Sequence, residues 1–275
     1  MKKVNERIIL LLICGILFME NWYVITMVYF DQVQPKTVVN DTLQNEIPVL
    51  MYHHLLPKED CVGLFAENNI VVSTERFCRD MEQLKQMGYQ TITLRQLEAF
   101  VRKEESFPGK YVVITFDDGY LSNKKYAQPV LEKLGYTAVI FVLTGWIEEH
   151  PQQFSENGLQ YLSWPEIKEM KQTFQFASHT DNLHDLSWGG KGKMTTASTQ
   201  DVLADLKRSI QKLQGTSYFS YPYGHHTEKT REELEMLGMH LAFTVNPVSV
   251  HAGDDPLTLG RWDMYQYTLE EVLGR

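Results

Sequence analysis

Four apolar runs in this chain each end in side chains that carry chemistry. PVLMY runs into His53 and His54, YVVITF into Asp117 and Asp118, FQFAS into His179, and YFS into the cluster Tyr221 to Tyr223. Short runs that are apolar throughout read as strands buried on both faces. Segments of helical periodicity separate them. In TERFCRDMEQLKQMG, the residues Phe77, Met81, Leu84 and Met87 share one helical face, with Ser73 or Thr74 as the N-cap. LRQLEAFVRK, residues 122–134, WPEIKEMKQ, QDVLADLKRSIQKLQ and TREELEMLG read as further helices, with Gly135 and Gly215 as stops. TITL, TAVIFVL and MHLAFTV read as further strands, and LTLGRW as a short last element. This alternation specifies a parallel α/β domain. A barrel and an open doubly wound sheet both fit it. Polar groups at the C-terminal ends of several strands are what a barrel gathers into one site. No Gly-x-Gly-x-x-Gly follows an early strand and no Walker-type loop is present, so no nucleotide is indicated.

The chain has 275 residues, 43% of them apolar, which suffices for one large core. Its net charge of -9 argues against a nucleic-acid partner. Residues 1–30 read as a signal anchor or a signal peptide. Lys2, Lys3 and Arg7 precede an apolar stretch from Ile8 to Phe30, interrupted by Glu20 and Asn21. The basic flank stays inside, so the rest of the chain lies outside the cytoplasm, membrane-anchored or secreted. Residues 31–46 are a polar tether, and residues 47–275 are the folded domain. Cys14 lies in the targeting segment, while Cys61 and Cys78 are a candidate pair in an oxidising compartment. No residue argues for a particular oligomeric state.

Two carboxylates at a strand end point in different directions, so one can ligate a metal while the other faces a water. The imidazoles to match lie in FASHTDNLHDL, where His179 and His184 are five apart. That is not a helical i,i+4 spacing, so a loop must curl to bring both rings inward. One Asp and two His give three protein ligands with positions left open, as a catalytic zinc site requires. Alone, Asp-Asp-Gly is a common turn, and two nearby His are more often surface groups. Their joint occurrence at strand ends is what points to a metal-dependent hydrolase.

On these residues the chain resembles the polysaccharide deacetylase family, also called the NodB homology domain, over about residues 47–263. TFDDG (115–119), His179-Thr180 with His184, and YPYG (221–224) match its three motifs. The resemblance implies a deformed (β/α) barrel, with Asp117 as general base and Asp118, His179 and His184 as metal ligands. The metal implied is Zn²⁺, with Co²⁺, Ni²⁺ and Fe²⁺ as alternatives. The five-residue His spacing and the opening PVLMYHH are similar to the subgroup that deacetylates poly-β-1,6-N-acetylglucosamine. In that subgroup the first His lines the site, which makes His53 a candidate wall residue. The Arg that many members carry before the third motif is replaced here by Phe219, Ser220 and Tyr221, leaving Arg261 as a positive partner from another strand. The family's late Leu-x-His general acid has no clear counterpart. His251 is the leading candidate, with His225 and His226 as alternatives. The backbone N–H of Tyr223 is the expected oxyanion donor. Trp188 is the most groove-like of Trp146, Trp164, Trp188 and Trp262. The expected activity is removal of acetate from an N-acetylglucosamine polymer. The alternatives are a peptidoglycan or chitooligosaccharide deacetylase, or a carbohydrate-binding protein with a degenerate site.

Overall fold

The computed structural model describes residues 45–274. The segment 1–30, most of the tether 31–46, and Cys14 lie outside the described residues. Among the described residues no helix is long and apolar enough to cross a membrane. The strands are β1 (Glu46–Ile47), β2 (Val49–Tyr52), β3 (His54–Leu56), β4 (Val71–Ser73), β5 (Tyr89–Thr91), β6 (Lys110–Phe116), β7 (Ala138–Val142), β8 (Phe174–Ser178), β9 (Tyr218–Ser220), β10 (Leu241–Phe243), β11 (Val250–His251) and β12 (Trp262–Asp263). The main sheet runs β10-β9-β8-β7-β6-β2-β12, every pairing parallel. β5 pairs with the first half of β6, and β7 with its second half.

One segment joins the two edges of this sheet. Ala242 N–H donates to the Pro256 carbonyl at 2.8 Å, Leu259 N–H to Ala242 at 2.9 Å, and Thr244 N–H to Leu259 at 2.8 Å. Arg261 N–H then donates to the Asn246 carbonyl at 2.9 Å. The very next residues form β12, which pairs with β2 through Trp262↔Leu50 and Asp263↔Met51. The sheet therefore curls into a deformed barrel rather than spreading as an open doubly wound sheet.

The period-two alternation of the central strands sorts their residues into two cores. Val49, Val113, Val139, Phe141, Ala177, Leu241, Phe243 and Leu259 pack together inside the barrel. The helix Leu94–Val101 contributes Leu94, Leu97, Phe100 and Val101 to the same cluster and plugs the end at which the strands begin. The alternate residues Leu50, Tyr52, Val112, Ile114, Phe116, Ile140 and Val142 face outward, against Phe77, Met81 and Leu84 of the helix Thr74–Gln86 and Leu131 of the helix Gln128–Leu134. By the same parity Thr115 and Asp117 of the first motif face inward, above the apolar layers.

Most elements fall where periodicity puts them. Ser73 caps its helix, its hydroxyl accepting the Arg76 N–H at 3.2 Å. Gly135 closes the helix Gln128–Leu134 in a left-handed conformation, φ 67°. The expected strand TITL is displaced to Tyr89–Thr91, because Thr93 forms a capping box with Gln96 and starts a helix. Residues Asn123–Ala127 form a π-helical stretch within the expected helix 122–134. Cys61 and Cys78 do not pair. Both are free thiols, and Cys61 Sγ turns back to the Pro57 carbonyl at 3.4 Å.

His54 points away from the barrel lumen and is buried. Its Nδ1 lies 2.9 Å from Ser122 Oγ, and its ring packs on Phe65 and Tyr120. Burial lowers its pKa from 6.5 to about 4. The unfolded chain thus binds this proton more readily, so the stabilising effect is complete above the unfolded value and is lost as pH falls through the window between the two. The slope is about 1.4 kcal/mol per pH unit within that window. In urea unfolding at about pH 7 and about pH 4.5, His54→Asn should show a smaller loss of stability on acidification than the wild type. An unchanged loss would mean that His54 is not the group responsible.

Candidate active site

Three residues at one end of the barrel adopt left-handed backbone conformations that non-glycine residues rarely take: Asp118 (φ 70°), Thr180 (φ 79°) and Tyr223 (φ 57°). They follow β6, β8 and β9, and each belongs to one of the sequence motifs. At Asp118 the reversal, continued by Gly119 at φ 83°, separates its carboxylate from that of Asp117. Asp117 continues the inward parity of β6, while Asp118 turns toward the imidazoles.

Asp118 Oδ1 lies 3.5 Å from His179 Nε2 and 3.4 Å from His184 Nε2. One ligand atom from each residue falls within 4.8 Å of the others. Asp118 Oδ1 is buried and has no hydrogen-bond partner, which is costly for a carboxylate oxygen. The donor set fits a divalent ion. Tetrahedral bonds of about 2.0–2.1 Å separate neighbouring ligand atoms by about 3.3–3.4 Å. His179 Nδ1 sits 2.7 Å from the Ser220 carbonyl, which requires the proton on Nδ1 and leaves the Nε2 lone pair facing Asp118. Burial lowers the His179 pKa to about 4 despite the nearby carboxylates of Asp117 and Asp118, so the ring is neutral, as a ligand must be.

Asp117 is clamped from below. Arg261 Nη1 and Nη2 donate to its two oxygens, each at 2.7 Å. The guanidinium also reaches Thr115 Oγ1 at 3.3 Å, Ser220 Oγ at 2.8 Å and the Thr244 carbonyl at 3.0 Å. All five of its N–H donors are thereby used. It is fully buried and rests on the rings of Phe141 and Phe243. Burial alone would push the Asp117 carboxyl up. The Arg261 charge, the imidazoles of His179 and His53, and the two hydrogen bonds outweigh it and hold the group well below the usual carboxylate range. Arg261 therefore supplies, from the barrel-closing segment, the positive partner missing before the third motif.

A family model described as polysaccharide deacetylase matches residues 104–242, which include Asp117, Asp118, His179, His184 and Tyr223. The chain belongs to the polysaccharide deacetylase family. YxkH of Bacillus subtilis (strain 168) is 31% identical over 205 residues, an alignment spanning 74% of this chain and 65% of that protein. The poly-β-1,6-N-acetyl-D-glucosamine N-deacetylase of Staphylococcus aureus (strain MSSA476) is 29% identical over 214 residues, spanning 75% of this chain and 72% of that enzyme. Among solved structures, IcaB from Ammonifex degensii superposes with a TM-score of 0.72 at 28% identity, covering 83% of this chain and 97% of that one.

The other candidate residues of this polysaccharide deacetylase fall into two groups. His53 follows β2 at the site end and lies near enough to Asp117 to lower its pKa. Tyr223 packs its ring 4.5 Å from that of His184, half exposed at the rim. His251 is elsewhere. It lies on β11, paired with β1 ahead of β2, at the opposite end of the strands, where it is exposed between Glu46 and Asp254. His225 is occupied, its Nδ1 accepting the Gly192 N–H at 3.0 Å. His226 is exposed and turns back to the Gly224 carbonyl. Trp188 is fully exposed at the tip of a turn beyond His184, so it lines no groove among the described residues. The tryptophan at the site wall is Trp146, whose ring meets those of His184 and Tyr161. Trp164 and Trp262 are half buried, Trp164 against the outer core and Trp262 also against Tyr267.

Sequence reasoning missed Ser220, Tyr120 and Tyr161. Ser220 has the same inward parity on β9 that Asp117 has on β6, and that parity was a usable signal. Tyr120 and Tyr161 stack at 5.2 Å beside Asp118. Burial, with the Asp118 charge next, pushes the Tyr161 phenol up to about 12, and Tyr120 is raised by the same causes. Both are neutral hydroxyls at any ordinary pH.

Proposed function

We propose that this chain is a metal-dependent polysaccharide N-deacetylase that hydrolyses the acetamido groups of an N-acetylglucosamine polymer, specifically poly-β-1,6-N-acetylglucosamine, and releases acetate. The observation that carries the reading is the pairing of two carboxylates with opposite surroundings. Asp118 has an orphaned oxygen between two imidazole nitrogens, and Asp117 is neutralised by Arg261. The similarity to the S. aureus deacetylase and to IcaB supports the β-1,6 choice, as do the five-residue His spacing and the PVLMYHH opening.

Asp118, His179 and His184 would hold the ion, which when bound polarises the amide carbonyl and acidifies a water. Zn²⁺ suits this donor set, and Co²⁺, Ni²⁺ and Fe²⁺ share it. Asp117, kept ionised by Arg261, takes the proton of the attacking water on a lone pair that the guanidinium leaves open. The Tyr223 N–H is the donor proposed for the developing oxyanion. Protonation of the departing amine falls to His53, the imidazole that neighbours Asp117, in place of His251. The N-terminal segment tethers the enzyme to a membrane or directs its secretion, so that it meets its polymer outside the cytoplasm.

Acetate release from β-1,6-linked N-acetylglucosamine oligomers by the full chain should require metal and should vanish in Asp118→Ala. Release only from β-1,4 oligomers or peptidoglycan would overturn the substrate choice. Bound metal with no release from any of them would leave a glycan-binding module.

A further inference from the structure

The loop between the two histidine ligands, Thr180 to Leu183, is held by groups outside all three motifs. On the helix Thr199–Lys212, Asp205, Arg208 and Lys212 fall on one face at i, i+3 and i+7. Asp205 is buried, and its two oxygens accept two consecutive backbone donors of the loop, Asp181 N–H at 2.8 Å and Asn182 N–H at 2.9 Å. Arg208 bridges Asp205 Oδ2 at 3.2 Å and Asp181 Oδ2 at 3.1 Å. Lys212 Nζ and Thr144 Oγ1 each reach Asp181 Oδ1 at 2.7 Å. On the other side, Gly145 N–H donates to the Asp181 carbonyl at 3.0 Å, and a Cβ at Gly145 would collide with the Asn182 amide.

A helix fixes two histidines by its own hydrogen-bond ladder. Here the spacing is five, no ladder exists, and the backbone N–H groups that must stay fixed are those between the ligands. A carboxylate that takes two successive N–H groups does this job, since moving either residue breaks a charge-assisted hydrogen bond in a buried place. We infer that Asp205 is a positioning residue of the metal site, acting through the backbone of Asp181 and Asn182 to set where His184 meets Asp118 and His179. The inference rests on the reading of that triad as a metal site.

The test is Co²⁺ binding by the metal-stripped full chain, measured by competition with a chelating indicator and by visible absorption. Asp205→Asn puts an amide N–H₂ against a backbone donor. It should weaken Co²⁺ binding by about 10–100-fold and shift the absorption bands. Asp80→Asn is the control. Asp80 is equally buried, hydrogen-bonded to Tyr52 at 2.9 Å on a different helix, and has no link to the loop. It should lower Tm and leave Co²⁺ affinity and spectrum unchanged. If Asp205→Asn does not fold, Arg208→Gln at the half-exposed bridge carries the test, with weaker binding and an intact fold expected. Wild-type affinity and spectrum in the Asp205 or Arg208 variant would overturn the inference, as would equal losses in the Asp80 control. A wild-type chain that binds no Co²⁺ would instead overturn the metal site itself.

Discussion

Arg261→Leu should destabilise the protein by about 3–5 kcal/mol, because it leaves the Asp117 carboxylate buried with no counter-charge. Arg261 is fully enclosed and Asp117 is 3% exposed, so water can replace neither partner. The pH dependence has a definite sign. In the wild type the Asp117 pKa is depressed, so the ion pair's contribution is complete above the unfolded carboxyl value and is lost only as pH falls through the lower folded value. Without Arg261, burial dominates and the carboxyl takes up its proton at a higher pH. Acidification therefore relieves the variant first, and the gap between the two proteins should narrow as pH falls. Urea unfolding at several pH values measures this, and a gap that widens on acidification would sink it. The double variant Asp117→Asn/Arg261→Leu removes both charges and should recover most of the lost stability.

A large loss of turnover with the metal site left intact is expected from Asp117→Asn. Loss of a general base costs about 10²–10⁴-fold in rate. Asp117 is outside the ligand triad, so Co²⁺ should still bind to the variant. Acetate release reduced to that extent, with the ion retained, separates base from ligand. A variant that keeps a tenth or more of the wild-type rate would remove Asp117 from the chemistry.

Strand–helix alternation gave the parallel α/β architecture, because a parallel strand buried on two faces has little choice but to be apolar throughout, and the polar ends of several strands pointed to the barrel. The grouping of Asp118, His179 and His184 was equally legible, since Asp118 and His179 sit directly after such strands and His184 follows in the loop after the second. What the sequence did not reveal were partnerships set by closure. His251 shares a polar, glycine-flanked context with real site residues, yet β11 lies under the barrel, and no local pattern tells which end of a sheet a two-residue strand will join. Trp188 follows the histidine motif closely, but a turn carries it outward while Trp146, from the loop after β7, comes in. Asp205 could be found only by asking why a buried helical face holds an acid next to Val202 and Leu206. Arg261 stood out as a positive partner from another strand, but its five hydrogen bonds depend on three other segments.

The last stretch of the barrel is made well after the groups it clamps. Arg261 and Asp117 are 144 residues apart in the chain, and contacts of that span form late in folding. At roughly 5–20 residues per second, a growing chain would hold Asp117, Asp118, His179 and His184 for several seconds before the guanidinium was even made. Until then the carboxylate has no counter-charge and the two edges of the sheet have nothing between them. The clamp on Asp117 and the closure of the barrel therefore depend on the same few residues, Arg261 to Asp263, and a nascent chain that already carries all three motifs has neither.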